Sequence, residues 1–311
     1  MSFTATTPFF LGQVTANKAQ ELNLPLVFTF HSQYREYTRN FPISQESLQN
    51  FLKETINNRL CEYMRKCQHI VVPSRSMRDI LVRDYGLQSR YSVIPTGIDL
   101  ASFQDADGKS LRSQMGWRAD HVMVSVGRLA PEKNWRTLIQ AAGLVMQRHP
   151  DFRAVIIGDG PERQALQDFC SQSGIADKVE FTSKVPFSQI PQYLDAADFF
   201  DFASTTETQG LVTLEALAAG LPVVAVEASG TRDILEHDLQ GLLVPDEPQA
   251  FAQAACQLIE NEALAARFQA AALVRAQAFD VQRLTKKLVN VYHQAVEDKR
   301  NKKFAEISML S

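Results

Sequence analysis

The stretch that decides the fold is residues 122–134, VMVSVGRLAPEKN. Residues 122–126 read as a buried strand, and a helical pattern begins after residue 134. Arg128 and Lys133 therefore lie on a strand-to-helix loop at the carboxyl end of a strand, where open α/β sheets bind their ligands. An arginine fork and a lysine point charge suit a pyrophosphate, and surface ion pairs are the alternative role.

Strands and helices alternate from residue 120 onward, which predicts a doubly wound parallel sheet. A long helix follows at 281–299. Before residue 105 the pattern predicts fewer elements, and a polar segment at 105–109 suits a linker. We therefore expect domains at 1–104 and 105–278, followed by a helix and tail at 279–311. The predicted strands are 26–30, 69–72, 91–94, 122–126, 153–158, 178–182, 197–200, 222–226 and 241–244, with helices at 45–66 and up to residue 85.

Two glutamates lie eight positions apart in residues 204–222, STTETQGLVTLEALAAGLP. Glu207 precedes a predicted helix, and Glu215 lies inside it on an otherwise apolar face. A carboxylate there is costly unless it is paired or hydrogen-bonded, and sugar hydroxyls are one natural partner. The alternatives are a helix-terminal charge and a satisfied buried acid. Backbone N–H groups at the helix start suit an anion, and they belong to Gln209, Gly210 and Leu211.

These motifs give the chain its resemblance to a known family. Gly-Arg-x4-Lys at 127–133, Gly-Asp-Gly-Pro at 158–161, Glu-x7-Glu at 207–215 and Gly-Leu-Pro at 220–222 occur in this order with spacing like the family's. The chain resembles the retaining nucleotide-sugar glycosyltransferases of family four, which have the GT-B fold. The resemblance covers most of the chain. It implies an α/β protein with two Rossmann-like domains, of which the second binds the donor.

The resemblance also implies a donor site that works without a metal or a further cofactor. Glu207 would hold hexose hydroxyls and Glu215 the ribose. Val185 lies where the family often contacts the base through backbone groups, although Ser183 replaces the usual glycine before it. The implied donor-binding residues are Arg128, Lys133, Asn134, Val185, Glu207, Thr208, Gln209, Gly210, Leu211 and Glu215.

His31 ends a predicted strand, and the family places such a histidine beside the donor sugar near its anomeric centre. The resemblance thus implies His31 and Glu207 as catalytic residues; a purely structural histidine is the alternative. The sequence offers no good candidate for a covalent nucleophile, and the resemblance therefore implies retention by same-face attack and not by a double displacement.

Residues 31–42, HSQYREYTRNFP, resemble the subgroup that glucosylates diacylglycerol. We therefore expect glucose transfer from UDP-glucose to a lipid hydroxyl, with Tyr34, Tyr37, Arg65 and Lys66 on the acceptor or membrane side. A basic segment at 59–90 could face anionic lipid, or it is a solvated helix face. The tyrosines could instead pack between domains. Mannosyltransferases and soluble sugar or polysaccharide transferases are the alternatives within the family.

The first domain is shorter than a complete Rossmann-like half and carries no glycine-rich loop. By resemblance, residues 7–12 correspond to a segment well inside that domain. We therefore expect an N-terminal portion to be missing, which puts catalysis by this chain alone in question. A non-catalytic donor-binding protein is the rival from another class.

Composition is that of an ordinary globular protein, with 45% hydrophobic residues, 22% charged residues and a net charge of −3. No apolar run is as long as a membrane span. The four cysteines form no C-x-x-C pair, so neither zinc nor a disulfide framework is indicated. A reducing cytoplasm is expected, with peripheral placement at the inner face of the membrane. Basic and aromatic residues are not interleaved in the manner that favours nucleic acid.

Overall fold

The computed structural model describes residues 3–5, 8–31, 46–88 and 90–301. The chain divides into two compact units, of which one is Met1–Thr96 with Gln282–Ser311 and the other is Gly97–Val281. Within the described residues, no helix combines the length and the apolar character needed to cross a membrane.

The first unit contains a four-stranded parallel sheet in the order β1-β2-β3-β4. The strand β2 carries Phe28 and is followed directly by Phe30, and both side chains are fully buried. Phe28 meets Tyr63 edge-on at 5.1 Å between ring centroids, and Phe30 meets Tyr85 at 6.3 Å. Aromatic packing therefore joins the sheet to its helices. The elements are β1 (Phe3–Ala5), α1 (Phe10–Glu21), β2 (Leu26–Thr29), α2 (Glu46–Arg65), β3 (His69–Val72), α3 (Arg75–Tyr85) and β4 (Tyr91–Val93).

The second unit contains a six-stranded parallel sheet in the order β10-β9-β8-β5-β6-β7. Its strands are largely buried, as in a sheet covered on both faces. The strands are β5 (His121–Val126), β6 (Phe152–Ile157), β7 (Val179–Thr182), β8 (Phe199–Phe202), β9 (Val223–Val226) and β10 (Gly241–Val244). The helices are α4 (Gly108–Gln114), α5 (Trp135–Arg148), α6 (Arg163–Gln172), α7 (Ile190–Asp195), α8 (Leu211–Ala218), α9 (Thr231–Ile234), α10 (Pro248–Glu260) and α11 (Glu262–Ala276).

The last helix, α12 (Val281–Arg300), supplies buried Leu284, Val291 and Ala295. Its Tyr292 hydroxyl lies 3.4 Å from the Thr4 hydroxyl, so the helix reaches the edge strand of the first unit.

The predicted α/β class and doubly wound parallel sheet are confirmed. The sequence did not predict β1 or α1. Strand β1 has three residues, too few to show an alternating pattern. Helix α1 buries small residues and exposes large apolar ones, which reverses the usual pattern of a surface helix.

Candidate donor site at the switch point of the second sheet

The order of strands places a change of direction next to β5. The chain passes from β5 to β6 and β7 on one side of the sheet, and then returns to β8 on the other side of β5. The loops that follow β5 and β8 therefore leave the same edge in opposite directions. Ligands of open α/β sheets bind at such a topological switch point. The sequence places Arg128 and Lys133 on the first loop and Glu207 on the second.

The loop after β5 fixes the backbone of Arg128 and leaves its side chain in solvent. The buried indole of Trp135 donates a 2.9 Å hydrogen bond from Nε1 to the Arg128 carbonyl. The Arg128 side chain is exposed, and no charged partner for its guanidinium is found among the described residues. An anchored backbone with an unpaired guanidinium is well suited to a dianionic ligand.

Lys133 and Glu207 meet across the switch point. The Lys133 ammonium donates to Oε1 of Glu207, and the Ser204 hydroxyl donates to the same oxygen at 2.8 Å. Both charged side chains are partly buried, with 22% and 16% of their surfaces exposed. The Lys133 ammonium also lies 5.7 Å from the ring centroid of Phe202. Because Oε1 is occupied twice, the Oε2 oxygen of Glu207 is left for other hydroxyl donors.

Asn134 takes part in this region through its backbone and not as a free amide. It adopts a left-handed conformation with φ of 55°, which ends the short turn at Pro131–Lys133 and starts α5. Its side-chain amide donates to Asp246, and its oxygen accepts from Thr137 at 3.0 Å. Asn134 thus orients the loop that carries Lys133.

The loop after β9 supports the loop after β8. Ser229 donates from its hydroxyl to the Glu207 carbonyl at 3.3 Å. A Cβ atom added at Gly230 would lie 2.7 Å from the Glu207 carbonyl oxygen and from the Gln209 nitrogen. Gly210 has φ of +79° and caps α8, so the chain turns into the helix at this point. The loop after β9 therefore supports Thr208, Gln209 and Gly210 at the start of α8. Leu211, the first residue of the helix, is exposed.

Glu215 lies within α8 and is 8% exposed. Burial raises the pKa of its carboxyl to about 7, because the charged form loses water that the protein does not replace. The described residues supply no side-chain partner for this carboxyl. A neutral acid near pH 7 is the least costly state here, and a ligand hydroxyl would favour the ionised one.

The β6 loop lies directly against the β5 loop. Gly158 has φ of +146°, and a Cβ atom added there would lie 1.9 Å from the Gly127 carbonyl oxygen. The Leu129 N–H donates to the Asp159 carbonyl, and the Leu129 carbonyl accepts from Glu162. The glycines at 158 and 160 thus permit a backbone contact that shapes the loop after β5.

Arg163 is a positioning residue that the sequence did not reveal. Its guanidinium donates to the carbonyls of Phe181 and Thr182 at 2.9 and 2.8 Å, and to Gly158 at 3.3 Å. It therefore ties the β6 turn to the end of β7, immediately before half-buried Val185. The available signal was the cation two positions after the Gly-Asp-Gly-Pro turn.

The remaining candidates belong to the first unit. His31 follows β2 and its side chain is exposed, yet nearby protein atoms lower its pKa from 6.5 by desolvation. Arg65 and Lys66 are exposed at the end of α2, and Lys66 donates to Gln13 at 3.0 Å. Tyr34 and Tyr37 lie outside the described residues.

The chain is similar to known glycosyltransferases along most of its length. A family model described as "Glycosyl transferases group 1" matches residues 110–275, and one described as "Glycosyltransferase Family 4" matches residues 4–102. The chain is 32% identical over 255 residues to the alpha-monoglucosyldiacylglycerol synthase of Streptococcus pneumoniae, covering 76% of this chain and 57% of the relative. It is 29% identical over 231 residues to the D-inositol 3-phosphate glycosyltransferase of Thermobispora bispora, covering 71% and 54%.

Among solved structures, Anabaena Alr3699/HepE in complex with UDP-glucose superposes with a TM-score of 0.79. The two proteins are 24% identical, with 94% of this chain and 78% of the other covered. At this identity the likeness shows the fold. The chain spans a little over half the length of the two curated relatives above. The predicted resemblance is confirmed, because one family model alone matches more than half of the chain: the protein belongs to the glycosyl transferases group 1, the family-four glycosyltransferases of GT-B fold.

Proposed function

We propose that the second unit binds a nucleotide sugar, most specifically UDP-glucose, and that the protein transfers the glucose with retention to a lipid hydroxyl such as that of diacylglycerol. The observation that carries the proposal is the pairing of Lys133 with Glu207 at the switch point, next to the start of α8 and on the loop that also carries the exposed Arg128. The donor is suggested by the UDP-glucose complex of the Anabaena protein, and the acceptor by the name of the pneumococcal relative.

The leaving diphosphate needs positive charge as its bond to the sugar breaks. The exposed guanidinium of Arg128 would donate two hydrogen bonds to the diphosphate in bidentate fashion. The Lys133 ammonium has further N–H donors beyond the one that it gives to Glu207. The dipole of α8 adds partial positive charge at Gly210 and Leu211. These groups supply the electrostatic stabilisation that would otherwise call for a metal ion.

The sugar and ribose would be held by the two glutamates. Glu207 is fixed by Lys133 and Ser204 through one oxygen, so its other oxygen can accept from hexose hydroxyls. Glu215 would accept from the ribose diol. Val185 follows the strand that Arg163 braces, so its backbone is positioned for the base.

His31 is the residue we assign to the anomeric centre. Its lowered pKa leaves the imidazole neutral at pH 7. A neutral ring can exchange hydrogen bonds with the sugar without repelling the positive charge that develops at the anomeric carbon. Its replacement by alanine should lower kcat more than donor affinity.

The lipid acceptor is supported by exposed apolar side chains on the first unit. Phe10, Leu11 and Val14 of α1 are 82%, 67% and 54% exposed, and Phe51 of α2 is 64% exposed. Arg65 and Lys66 add exposed cations. Apolar residues together with cations are what binding to an anionic bilayer requires, which supports peripheral placement at the inner face of the membrane.

A soluble acceptor is the second candidate, because the D-inositol 3-phosphate glycosyltransferase of Thermobispora bispora covers nearly the same share of the chain. Binding of UDP-glucose without any binding to anionic vesicles would favour a soluble acceptor over the lipid acceptor.

Calorimetry of UDP-glucose and GDP-mannose binding tests the donor assignment. We expect UDP-glucose to bind and the Arg128→Ala variant to lose most of the affinity. Arg118→Ala is the matched control, since Arg118 is exposed near the opposite end of β5. Equal binding by wild type and Arg128→Ala would overturn the site. Binding without transfer to any acceptor would leave a donor-binding protein that is not catalytic on its own.

A further inference from the structure

We propose that His149, Cys256 and Glu260 form a binding site for a borderline divalent metal ion of the Zn²⁺ class. The three residues belong to the second unit but lie away from the candidate donor site formed by the loops after β5 and β8. Helix α5 starts at the carboxyl edge of the sheet after β5 and ends at Arg148, next to the amino end of β6. His149 therefore lies at the sheet edge opposite to Lys133 and Glu207.

The geometry brings one ligand atom from each side chain together. Those atoms all lie within 4.8 Å of one another, and Nε2 of His149 is 3.1 Å from Oε1 of Glu260. Cys256 and Glu260 are one helical turn apart in α10, so they share a face of that helix. The ligands of a tetrahedral Zn²⁺ lie roughly 3–4 Å from one another, which small rotamer changes here would achieve.

The chemistry of the three groups selects the class of metal. A thiolate, an imidazole and a carboxylate are the side chains that Zn²⁺ binds, whereas Mg²⁺ and Ca²⁺ take oxygen ligands. The Cys256 sulfur therefore excludes the hard cations as the preferred occupants. The Glu260 and His149 side chains are 39% and 20% exposed, which gives an ion a path from solvent. Three protein ligands leave a fourth position for water.

Neighbouring residues are arranged as the outer partners of such a site. Arg148 pairs with both oxygens of Glu260, with Nη2 at 2.8 Å from Oε2 and Nε at 2.6 Å from Oε1. A bound ion would replace the Nε contact at Oε1, while the bond from Nη2 continues to hold the carboxylate at Oε2. The His121 ring lies edge-on to His149, with 6.4 Å between centroids, and limits the rotation of that imidazole. The competing explanation is an ordinary surface ion pair between Arg148, Glu260 and His149, which would not involve the sulfur.

The sequence did not indicate this site, because the ligands come from distant parts of the chain. His149 and Glu260 are 111 positions apart and meet because α5 packs against α10. A bound ion would join the end of one helix to the last turns of the other. It would therefore stabilise the second unit without touching the loops after β5 and β8.

A cobalt titration of the full chain, reduced and freed of metal, tests the proposal. Co²⁺ bound to a thiolate gives a charge-transfer absorption in the near ultraviolet, which an ion pair cannot produce. We expect the band to saturate at one equivalent and to disappear on addition of Zn²⁺, which should also raise Tm. Cys256→Ser should abolish the band, and His149→Gln and Glu260→Gln should weaken Co²⁺ binding at least ~10-fold.

Cys170→Ser is the matched control, because Cys170 is another buried free thiol of the same unit. A band that is absent from the wild type, or that survives in Cys256→Ser, overturns the site. If Cys256→Ser fails to fold, His149→Gln decides the matter, since this half-buried residue lies outside the core. Unchanged cobalt affinity in a folded His149→Gln variant would likewise overturn the proposal.

Discussion

The Lys133 ammonium is hydrogen-bonded to the Glu207 carboxylate across the switch point of the second sheet. The two residues are 74 positions apart in the sequence. Lys133 ends the Gly-Arg-x4-Lys motif, and Glu207 is the first acid of the Glu-x7-Glu motif. Their pairing means that the group we propose for the phosphates and the group we propose for the sugar are held as one unit. A ligand that engages either residue will therefore affect the other.

A double-mutant cycle should reveal this coupling. We expect Lys133→Met and Glu207→Gln each to lower the free energy of unfolding by about 1–2 kcal/mol, because each leaves a partly buried group without its partner. The double variant should be no less stable than the worse single variant. Denaturant unfolding measures all four proteins, and strictly additive losses would show that the pair is not coupled.

In transfer assays Glu207→Gln should lower kcat by about 10²-fold or more.

Glu215 should make stability depend on pH. Its pKa is about 7 in the folded chain, above the ordinary value of 4.5, so the folded state keeps a proton that the unfolded state releases. The free energy of unfolding should therefore fall as pH rises from about 4.5 to 7. The Glu215→Gln variant lacks this dependence and should gain on the wild type by up to about 3 kcal/mol at pH 8. Urea unfolding of the wild type and of Glu215→Gln at pH 5 and pH 8 measures this difference. An equal change in the free energy of unfolding of both proteins between the two pH values would contradict the prediction.

Gly158→Ala should destabilise the protein strongly. The new methyl group would overlap the Gly127 carbonyl in a backbone region that other residues avoid. We expect a loss of about 3 kcal/mol or more. Gly116→Ala is the matched control, since Gly116 also has a positive φ but open space around its Cβ position. That variant should lose only about 1 kcal/mol. Similar Tm values for the two variants would show that the contact between the loops matters little.

Replacing Arg163 should loosen the segment that precedes Val185. Arg163→Met removes three hydrogen bonds to buried or partly buried carbonyls, so we expect a loss of about 2–3 kcal/mol. It should also weaken UDP binding while leaving the apparent affinity for inorganic diphosphate unchanged, because the residues that we propose for the diphosphate lie on other loops. Arg232→Ala, which removes an exposed ion pair, serves as the control. An equal loss of affinity for UDP and for inorganic diphosphate would indicate general damage to the site.

Sedimentation with vesicles tests the apolar surface of the first unit. We expect the chain to pellet with vesicles that contain anionic lipid, and Phe10→Ser with Leu11→Ser to reduce the bound fraction several-fold. Val274→Ser is the matched control, because Val274 is 74% exposed in α11 of the second unit. Added salt should weaken the binding in part, since both charge and apolar contact contribute. Equal pelleting of all variants would argue against this face.

The sequence predicted the second sheet well because each of its strands is a short apolar run between loops. In a parallel sheet, strand ends that follow such runs gather at one edge, so the positions of Arg128, Lys133 and Glu207 could be inferred. The domain divisions, expected after residues 104 and 278, fall in the structure after Thr96 and Val281. A polar stretch marks a surface segment and not the point where packing changes.

What could not be predicted were the contacts between distant segments. The bonds from Arg163 to carbonyls of β7 and from Asn134 to Asp246 depend on which strands lie side by side. Nothing in the local pattern states that order. The conformation of α1 was missed for a different reason, because its small buried residues carry no hydrophobic period. Periodicity reveals a helix only when the large side chains face inward.

The indole of Trp135 donates a hydrogen bond to the backbone carbonyl of Arg128, whose guanidinium we assign to the donor. The chain has two tryptophans, and the other, Trp117, donates a hydrogen bond to Glu180 near the amino end of the edge strand β7. Replacing Trp117 with phenylalanine would leave Trp135 as the only tryptophan, which can be excited selectively at wavelengths that the tyrosines do not absorb. Its emission would then follow the occupancy of the loop after β5 in real time, so that the rates of donor arrival and departure could be read without any label.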